Sequence, residues 1–120
     1  MSGNINFNGW INDDGSENYK CRAWVNFNGT GTVAIRAAGN VSSITDNGTG
    51  DYTVNFATAM PDANYAYAIS GREDESGTLS WGALETPARV AQTTTTFRII
   101  TETAGGTSYD FNSVSLTIFR

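Results

Sequence analysis

Segment 40–56 constrains the fold of this chain more than any other, because its pattern indicates two strands joined by a tight turn. Tyr52, Val54 and Phe56 alternate with polar residues, which is the period of a strand with one buried face and one face in water. Residues 46–48, Asp-Asn-Gly, supply the turn, since Asn and Gly accept the positive φ that a hairpin demands. The sequence therefore predicts an antiparallel hairpin near the middle of the chain.

The number of residues in this turn decides which side of the first strand is buried. An odd loop places Ile44 on the face of Tyr52 and Val54, whereas an even loop places Val41 and Thr45 there. We expect the odd loop, because it buries the larger residue.

The same alternation recurs along the rest of the chain, at the spacing of an antiparallel sandwich or barrel. Turn residues separate the segments, and no segment has the period of a helix. We therefore expect an all-β fold, an antiparallel, jelly-roll-like β-sandwich of about eight strands over residues 21–120. Residues 1–20 are predicted to form an arm for docking or for an interface, with one short strand at residues 5–7.

The predicted core takes the apolar side of each strand, where a fully buried side chain contributes roughly 1.5–3 kcal/mol before entropy is subtracted. Its members are Val25, Phe27, Val33, Ile35, Tyr52, Val54, Phe56, Tyr65, Tyr67, Ile69, Phe97, Ile99, Val114, Leu116 and Ile118. Outside this set Trp10, Trp24, Ile100 and Phe119 would leave the outer sheet surface partly apolar. A subunit interface explains them, and we take Trp24, Ile100 and Phe119 as its candidate residues.

Composition excludes several classes of protein. The formal net charge is −5 with scattered basic residues, so nucleic acid is not an expected partner. No apolar run is long enough to cross a membrane, and no signal peptide is seen. The single cysteine, Cys21, cannot form an internal disulfide. It is expected to be a buried small hydrophobe rather than an interchain thiol.

The sequence offers little catalytic chemistry. There is no histidine, which removes the usual catalytic triads and the commonest metal ligand, and one cysteine cannot make a zinc site. The adjacent carboxylates Glu73, Asp74 and Glu75 belong to a charged, solvated loop. Asp13, Asp14 and Glu17 do not have the spacing of a calcium loop, so a flexible acidic turn is preferred to an ion site. We expect no enzyme, no metal and no cofactor.

Sugar binding by stacking is the remaining chemistry, since aromatic side chains lie near polar loops. The candidate receptor-binding set is Arg72, Glu73, Trp81 and Tyr109. The alternative reading of Trp81 is a core or interface residue.

A resemblance goes further than these patterns. Residues 23–31, 33–36, 40–56 and 59–65 closely resemble a module of bacteriophage tail fibres that is frequent in phages of cyanobacteria and other aquatic bacteria, and residues 114–120 look like its closing strand. The match covers over a third of the chain. The family offers no catalytic motif, and the middle of the chain, residues 66–112, departs from its pattern.

The resemblance implies a virion protein, made in the host cytoplasm and located in the tail, whose β-sandwich forms a homotrimer. It implies contacts with other phage tail or baseplate proteins, and adsorption to a glycan or protein of the host surface. The divergent residues 66–112 would then read the receptor. The alternative is a purely structural virion component, such as a baseplate or tail part or a capsid cement protein. A polysaccharide-degrading enzyme using Glu73 and Glu75 is not favoured.

Overall fold

The structure is a computed structural model that describes residues 3–6, 9–18, 21–72, 83–85, 91–103 and 105–120. In 3–6, 9–12, 17–18 and 83–85 the description covers the backbone. The described part of the chain contains strands and no helix, which confirms the predicted all-β class. The strands are β1 (Gly3–Asn6), β2 (Gly9–Asn12), β3 (Glu17–Asn18), β4 (Cys21–Asn28), β5 (Ala34–Gly39), β6 (Val41–Gly48), β7 (Asp51–Phe56), β8 (Ala66–Arg72), β9 (Ala83–Glu85), β10 (Thr96–Glu102) and β11 (Ser113–Phe119).

Eight of these strands form the sandwich. The front sheet has the order β5-β4-β11-β8 and the back sheet has the order β6-β7-β10-β9, and every pairing is antiparallel. The predicted antiparallel sandwich is therefore confirmed. The strand orders do not show the predicted jelly-roll-like connectivity, because β4 and β5, β6 and β7, and β9 and β10 each pair within one sheet.

The N-terminal arm contains more structure than the sequence indicated. Strands β1, β2 and β3 form a separate three-stranded antiparallel sheet. The prediction of one strand at residues 5–7 therefore underestimated the number of strands in this segment. Asn and Gly dominate this segment, so it contains few apolar residues that could show the two-residue alternation of a strand.

The core lies between the two sheets and comes mainly from alternate residues of β4, β7, β10 and β11. These central strands bury every second side chain, as expected of a sheet with one wet face. Phe27 and Tyr52 join the sheets through an edge-to-face contact with ring centroids 5.2 Å apart. The predicted core members found buried are Val25, Phe27, Tyr52, Val54, Phe56, Tyr65, Phe97, Ile99, Val114, Leu116 and Ile118.

Two predicted core residues are exposed, because they lie on edge strands. Ile35 on β5 and Tyr67 on β8 point inward at the open margin of the sandwich, and 37% and 44% of their surfaces are accessible. Val33 and Ile69 are partly buried against the core. Conversely, the loop residues Met60 and Phe111, together with Ala23 and Thr101, are buried outside the predicted set.

The central hairpin resolves the question of loop parity in a way that neither alternative foresaw. Ile44 pairs with Val54, as the odd loop predicts, yet Val41 pairs with Phe56 on the same face. Both are possible because the register shifts between Val41 and Ser43, where a β-bulge inserts one extra residue. The strand β6 therefore packs two aliphatic side chains against the core.

The corner between the sheets depends on Asn40. Its φ of 55° is positive, a conformation that Asn tolerates better than most residues. Its Nδ2 donates to the carbonyl oxygens of Arg22 and Thr58, each at 3.0 Å, and its Oδ1 accepts from the backbone N–H of Thr58 at 2.6 Å. One side chain thus ties β4 to the loop that follows β7.

Two substitutions of Asn40 distinguish the stability that its side-chain hydrogen bonds contribute from the cost of backbone strain. Asn40→Gly keeps a backbone that tolerates positive φ but removes three side-chain hydrogen bonds; at about 1 kcal/mol each, we expect the free energy of unfolding to fall by about 2–3 kcal/mol. Asn40→Ala should cost about 1–2 kcal/mol more, because it adds left-handed strain. Urea unfolding followed by tryptophan fluorescence measures both. Equal stability of the two variants would contradict the strain, and wild-type stability of Asn40→Gly would contradict the role of the amide.

Candidate functional site

Segments from both sheets meet at one end of the sandwich, which we call the loop end. It comprises the β4–β5 turn at residues 29–33, the β6–β7 turn at 49–50, residues 103 and 105–112 of the β10–β11 loop, and the last residue of β8. The Gly29 N–H donates to the Phe111 carbonyl at 2.8 Å, and the Thr101 N–H donates to the Gly50 carbonyl at 2.9 Å. Backbone hydrogen bonds therefore hold these turns against one another.

A buried tyrosine organises the loop end from below. The Tyr52 hydroxyl lies 2.9 Å from the carbonyl oxygen of Gly29 and 2.7 Å from Oδ1 of Asp110, and these two acceptors share its single hydrogen. The same Asp110 oxygen accepts from the backbone N–H of Gly50 at 2.7 Å. We call Tyr52, Asp110, Gly29 and Gly50 the tyrosine anchor. Since Tyr52 is fully buried, the hydrogen bond from its hydroxyl to the Gly29 carbonyl is shielded from water.

The two glycines of the tyrosine anchor are required by close approach. A Cβ on Gly29 would lie 2.4 Å from the Tyr52 hydroxyl oxygen, and one on Gly50 would lie 2.4 Å from the Thr101 carbonyl oxygen. Gly50 also has a φ of 66°, which favours glycine. The anchor therefore depends on small residues in both turns.

Burial and Asp110 together change the acidity of the anchor tyrosine. Desolvation raises the pKa of Tyr52 well above its ordinary value, and the hydrogen bond to Asp110 raises it further. Burial likewise raises the pKa of Tyr65 to about 12, with a smaller contribution from Tyr67. Both phenols therefore stay protonated to a higher pH in the folded protein than a tyrosine in water does.

Tyr109 is exposed at the loop end and directly precedes Asp110 of the tyrosine anchor. Its backbone is held on both sides by Thr101, whose carbonyl accepts from the Tyr109 N–H at 3.1 Å and whose hydroxyl donates to the Tyr109 carbonyl at 2.5 Å. Its ring contacts Phe111 edge-to-face, with centroids 6.3 Å apart, while 41% of its surface is accessible. A rigid, exposed tyrosine offers contact area at low entropic cost.

The predicted receptor-binding residues are only partly covered by the structure. Arg72 ends β8 in the front sheet, opposite Ser113, and is exposed. Tyr109 lies at the same end but is bonded to Thr101 of the back sheet. Glu73 and Trp81 fall outside the described residues. The structure thus brings Arg72 and Tyr109 to one end of the molecule, on different sheets.

The three predicted interface residues do not form one patch. Trp24 and Phe119 project from the outer face of the front sheet, 41% and 45% exposed, and the Trp24 indole leaves no room for a Cβ on Gly39. Ile100 is partly buried on the outer face of the back sheet, where it pairs with Asp51. Trp24 and Phe119 therefore lie on the opposite side of the sandwich from Ile100.

Cys21 is exposed, so the prediction of a buried small hydrophobe was wrong. It begins β4 beyond a register shift and pairs with Phe119, on the outer side of the front sheet. Its thiol donates to the Ala23 carbonyl at 3.1 Å.

The outer face of the back sheet is polar and internally hydrogen-bonded. Asn55 donates to the hydroxyls of Ser43 and Thr45 at 3.1 and 3.0 Å. Arg98 binds both carboxylate oxygens of Asp51, at 2.8 and 2.5 Å, and this hydrogen-bonded pair lowers the pKa of Asp51. These side chains mainly form hydrogen bonds with one another, which fixes their positions on this face.

The acidic turn near the N-terminus is also satisfied locally. Asp14 Oδ1 accepts from the backbone N–H and the hydroxyl of Ser16 at 2.9 and 2.6 Å, and these bonds lower the pKa of Asp14. Within the described residues, no group of three His, Cys, Asp or Glu side chains is placed to hold a metal ion.

Sequence reasoning missed the tyrosine anchor. The alternation pattern places Tyr52 in the core, but it does not indicate that Gly29, Gly50 and Asp110 meet its hydroxyl. The available signal was the string Tyr109-Asp110-Phe111, an aspartate between two aromatic residues, although nothing in it identifies Tyr52 as the partner.

No protein family model matches this chain, and no similar protein was found among curated sequences or among solved structures. The described residues include no helix that could span a membrane.

The raised tyrosine pKa values predict alkaline instability. The folded state favours protonated Tyr52 and Tyr65, so their contribution is complete below pH about 10, the ordinary tyrosine pKa, and is lost as the pH rises above it. We expect the free energy of unfolding to fall by about 2 kcal/mol between about pH 9 and pH 11. Urea unfolding at a series of pH values measures this loss.

The variant Tyr52→Phe is the matched control for this titration. At neutral pH it should be less stable by about 1–3 kcal/mol, because buried acceptors lose their donor, and its loss above pH about 10 should be smaller. Tyrosinate absorbance that accounts for all five tyrosines while the protein is still folded would contradict the burial of these phenols.

Proposed function

We propose that this protein is a virion component, of the tail fibre type, whose loop end binds the host surface during adsorption. The observation that carries the proposal is Tyr109, an exposed aromatic side chain whose backbone is fixed by Thr101 above a buried hydrogen-bond network. Binding residues are commonly placed on loops that a rigid scaffold positions. The resemblance of residues 23–65 to tail fibre modules supplies the virion context.

The ligand proposed for this end is a host-surface glycan or protein. Tyr109 offers an aromatic face for stacking, and Arg72 offers a planar fork of N–H donors. Both lie in the segment 66–112 that departs from the tail fibre pattern. This position supports their assignment to receptor recognition.

The proposal includes a homotrimer. A three-fold ring is heterologous, because each subunit contacts its two neighbours through different surfaces. The separation of Trp24 and Phe119 from Ile100 by the thickness of the sandwich is compatible with such a ring. The front-sheet face around Trp24 and Phe119 and the Ile100 side of the back sheet are its proposed contact surfaces.

A purely structural role in a tail, baseplate or capsid is the second candidate. Trp24 and Phe119 favour it, because they form an exposed apolar surface on a sheet face rather than among the loops. Such surfaces mark protein contacts. In this case the front face would bind a neighbouring virion protein and the loop end would bind nothing.

Substitutions at the loop end distinguish the two candidates. Removing one important contact side chain typically costs more than 1 kcal/mol, so we expect Tyr109→Ala and Arg72→Ala each to weaken binding to host cells or to isolated surface polysaccharide about tenfold. Labelled protein titrated on cells provides the measurement. Arg22→Ala is the matched control, because Arg22 lies at the opposite end of the front sheet, bonded to the Arg120 carbonyl.

Binding that is insensitive to both loop-end substitutions, or a folded protein that binds no host material, would leave only the structural role. A protein located in intact particles with its loop end covered by a neighbour would lead to the same conclusion.

The trimer is tested separately through molar mass. Trp24→Ser combined with Phe119→Ser removes the apolar surface from exposed positions, so the fold should persist. We expect the number of copies per particle in solution to fall threefold, as measured by light scattering during size-exclusion chromatography. An unchanged number of copies would exclude the front face as the three-fold contact.

A further inference from the structure

The sandwich leaves open sheet edges in the described part of the chain. Strands β5 and β8 form the edges of the front sheet, and β6 and β9 form those of the back sheet. An edge strand presents unpaired backbone N–H and C=O groups that can bind another strand. Proteins therefore protect such edges with short strands, charges, prolines or β-bulges.

Three of these four edges carry such protection. The strand β9 has only three residues. In β5 the register shifts around Arg36, which adds a charge at the shift. In β6 the register shifts twice, and Asp46 lies beside the second shift.

The strand β8 lacks these devices over its first six residues, and its one charge is the terminal Arg72. It runs for seven residues and pairs with β11 without any shift of register. No charge and no proline occurs between Ala66 and Gly71. Its inward side chain Tyr67 is 44% exposed, and Ile69 is only partly buried. Both side chains would gain from a further strand beside β8.

We propose that β8 pairs antiparallel with β8 of a second copy of this chain, across a two-fold axis at Ile69. In this register Ile69 faces Ile69 of the other copy and Tyr67 faces Gly71. An aromatic side chain opposite an edge glycine covers the gap that the glycine leaves. Ala68 faces Ser70 and Arg72 faces Ala66, so no like charges lie directly opposite each other.

A second copy is the occupant that the strand itself specifies, because this register complements the strand with its own sequence. The two front sheets would join into one continuous sheet, and Tyr67 and Ile69 of both copies would extend the core. The contact uses the edge of the front sheet, whereas Trp24 and Phe119 lie on its outer face. Two-fold and three-fold contacts are therefore independent, and this inference does not rest on the proposed function.

Paired charges on β8 provide the test. Ala68 and Ser70 are exposed and alternate on the outer face, so their substitution leaves the core intact. In Ala68→Lys/Ser70→Lys each lysine would face a lysine of the other copy, and in Ala68→Glu/Ser70→Glu each glutamate would face a glutamate. Like charges directly opposite destabilise a strand pair. We expect each variant to contain half as many copies as the wild type, by light scattering.

An equimolar mixture of the lysine and glutamate variants should restore the wild-type number of copies, since every opposing pair is then of opposite charge. A restored number of copies in the mixture also shows that both variants are folded. Ala34→Lys/Ala37→Lys on the other front-sheet edge is the matched control and should keep the wild-type number.

Copy numbers of the lysine and glutamate variants equal to that of the wild type would overturn the β8 contact. A mixture that fails to reassemble, or a lysine control on β5 that also halves the copy number, would overturn it as well. The outcome is distinguishable from failure of the trimer, because the β8 variants change the copy number twofold and the Trp24 and Phe119 variant changes it threefold.

Discussion

The rest of the structure depends on the hydrogen bonds that the Tyr52 hydroxyl makes at the loop end. Its ring belongs to the core and contacts Phe27 of the opposite sheet, while its oxygen reaches the turns that close the loop end. A single residue thereby couples sheet packing to loop position. Gly29 must be small to admit the Tyr52 hydroxyl, and Gly50 must be small beside the Thr101 carbonyl, so close contacts at the loop end constrain both turns.

The central strands could be predicted from the sequence because their signal is local. Alternation in β4, β7, β10 and β11 identifies the buried face, and the core residues Val54, Ile99 and Leu116 follow from it. The edge strands have the same alternation, yet Ile35 and Tyr67 are exposed. Burial at an edge depends on strand order, which comes from long-range pairing and not from the pattern of one strand.

The loop end shows the same limit for function. Tyr109 could be chosen as an exposed aromatic residue near polar loops, but the hydrogen bonds that hold it to Thr101 of β10 depend on how the chain folds back after that strand. The bulge that lets Val41 and Ile44 share one face was equally hidden, since an extra residue in a strand changes parity without changing composition. The anchor aspartate, Asp110, became visible only with the three-dimensional arrangement.

The exposed thiol of Cys21 has a practical consequence. It is the one cysteine of the sequence, and it pairs with Phe119 at the end of the front sheet. A maleimide dye or nitroxide attached there marks a single defined position without any engineered substitution. Its rate of alkylation reports directly on whether a neighbouring molecule covers that side of the sheet.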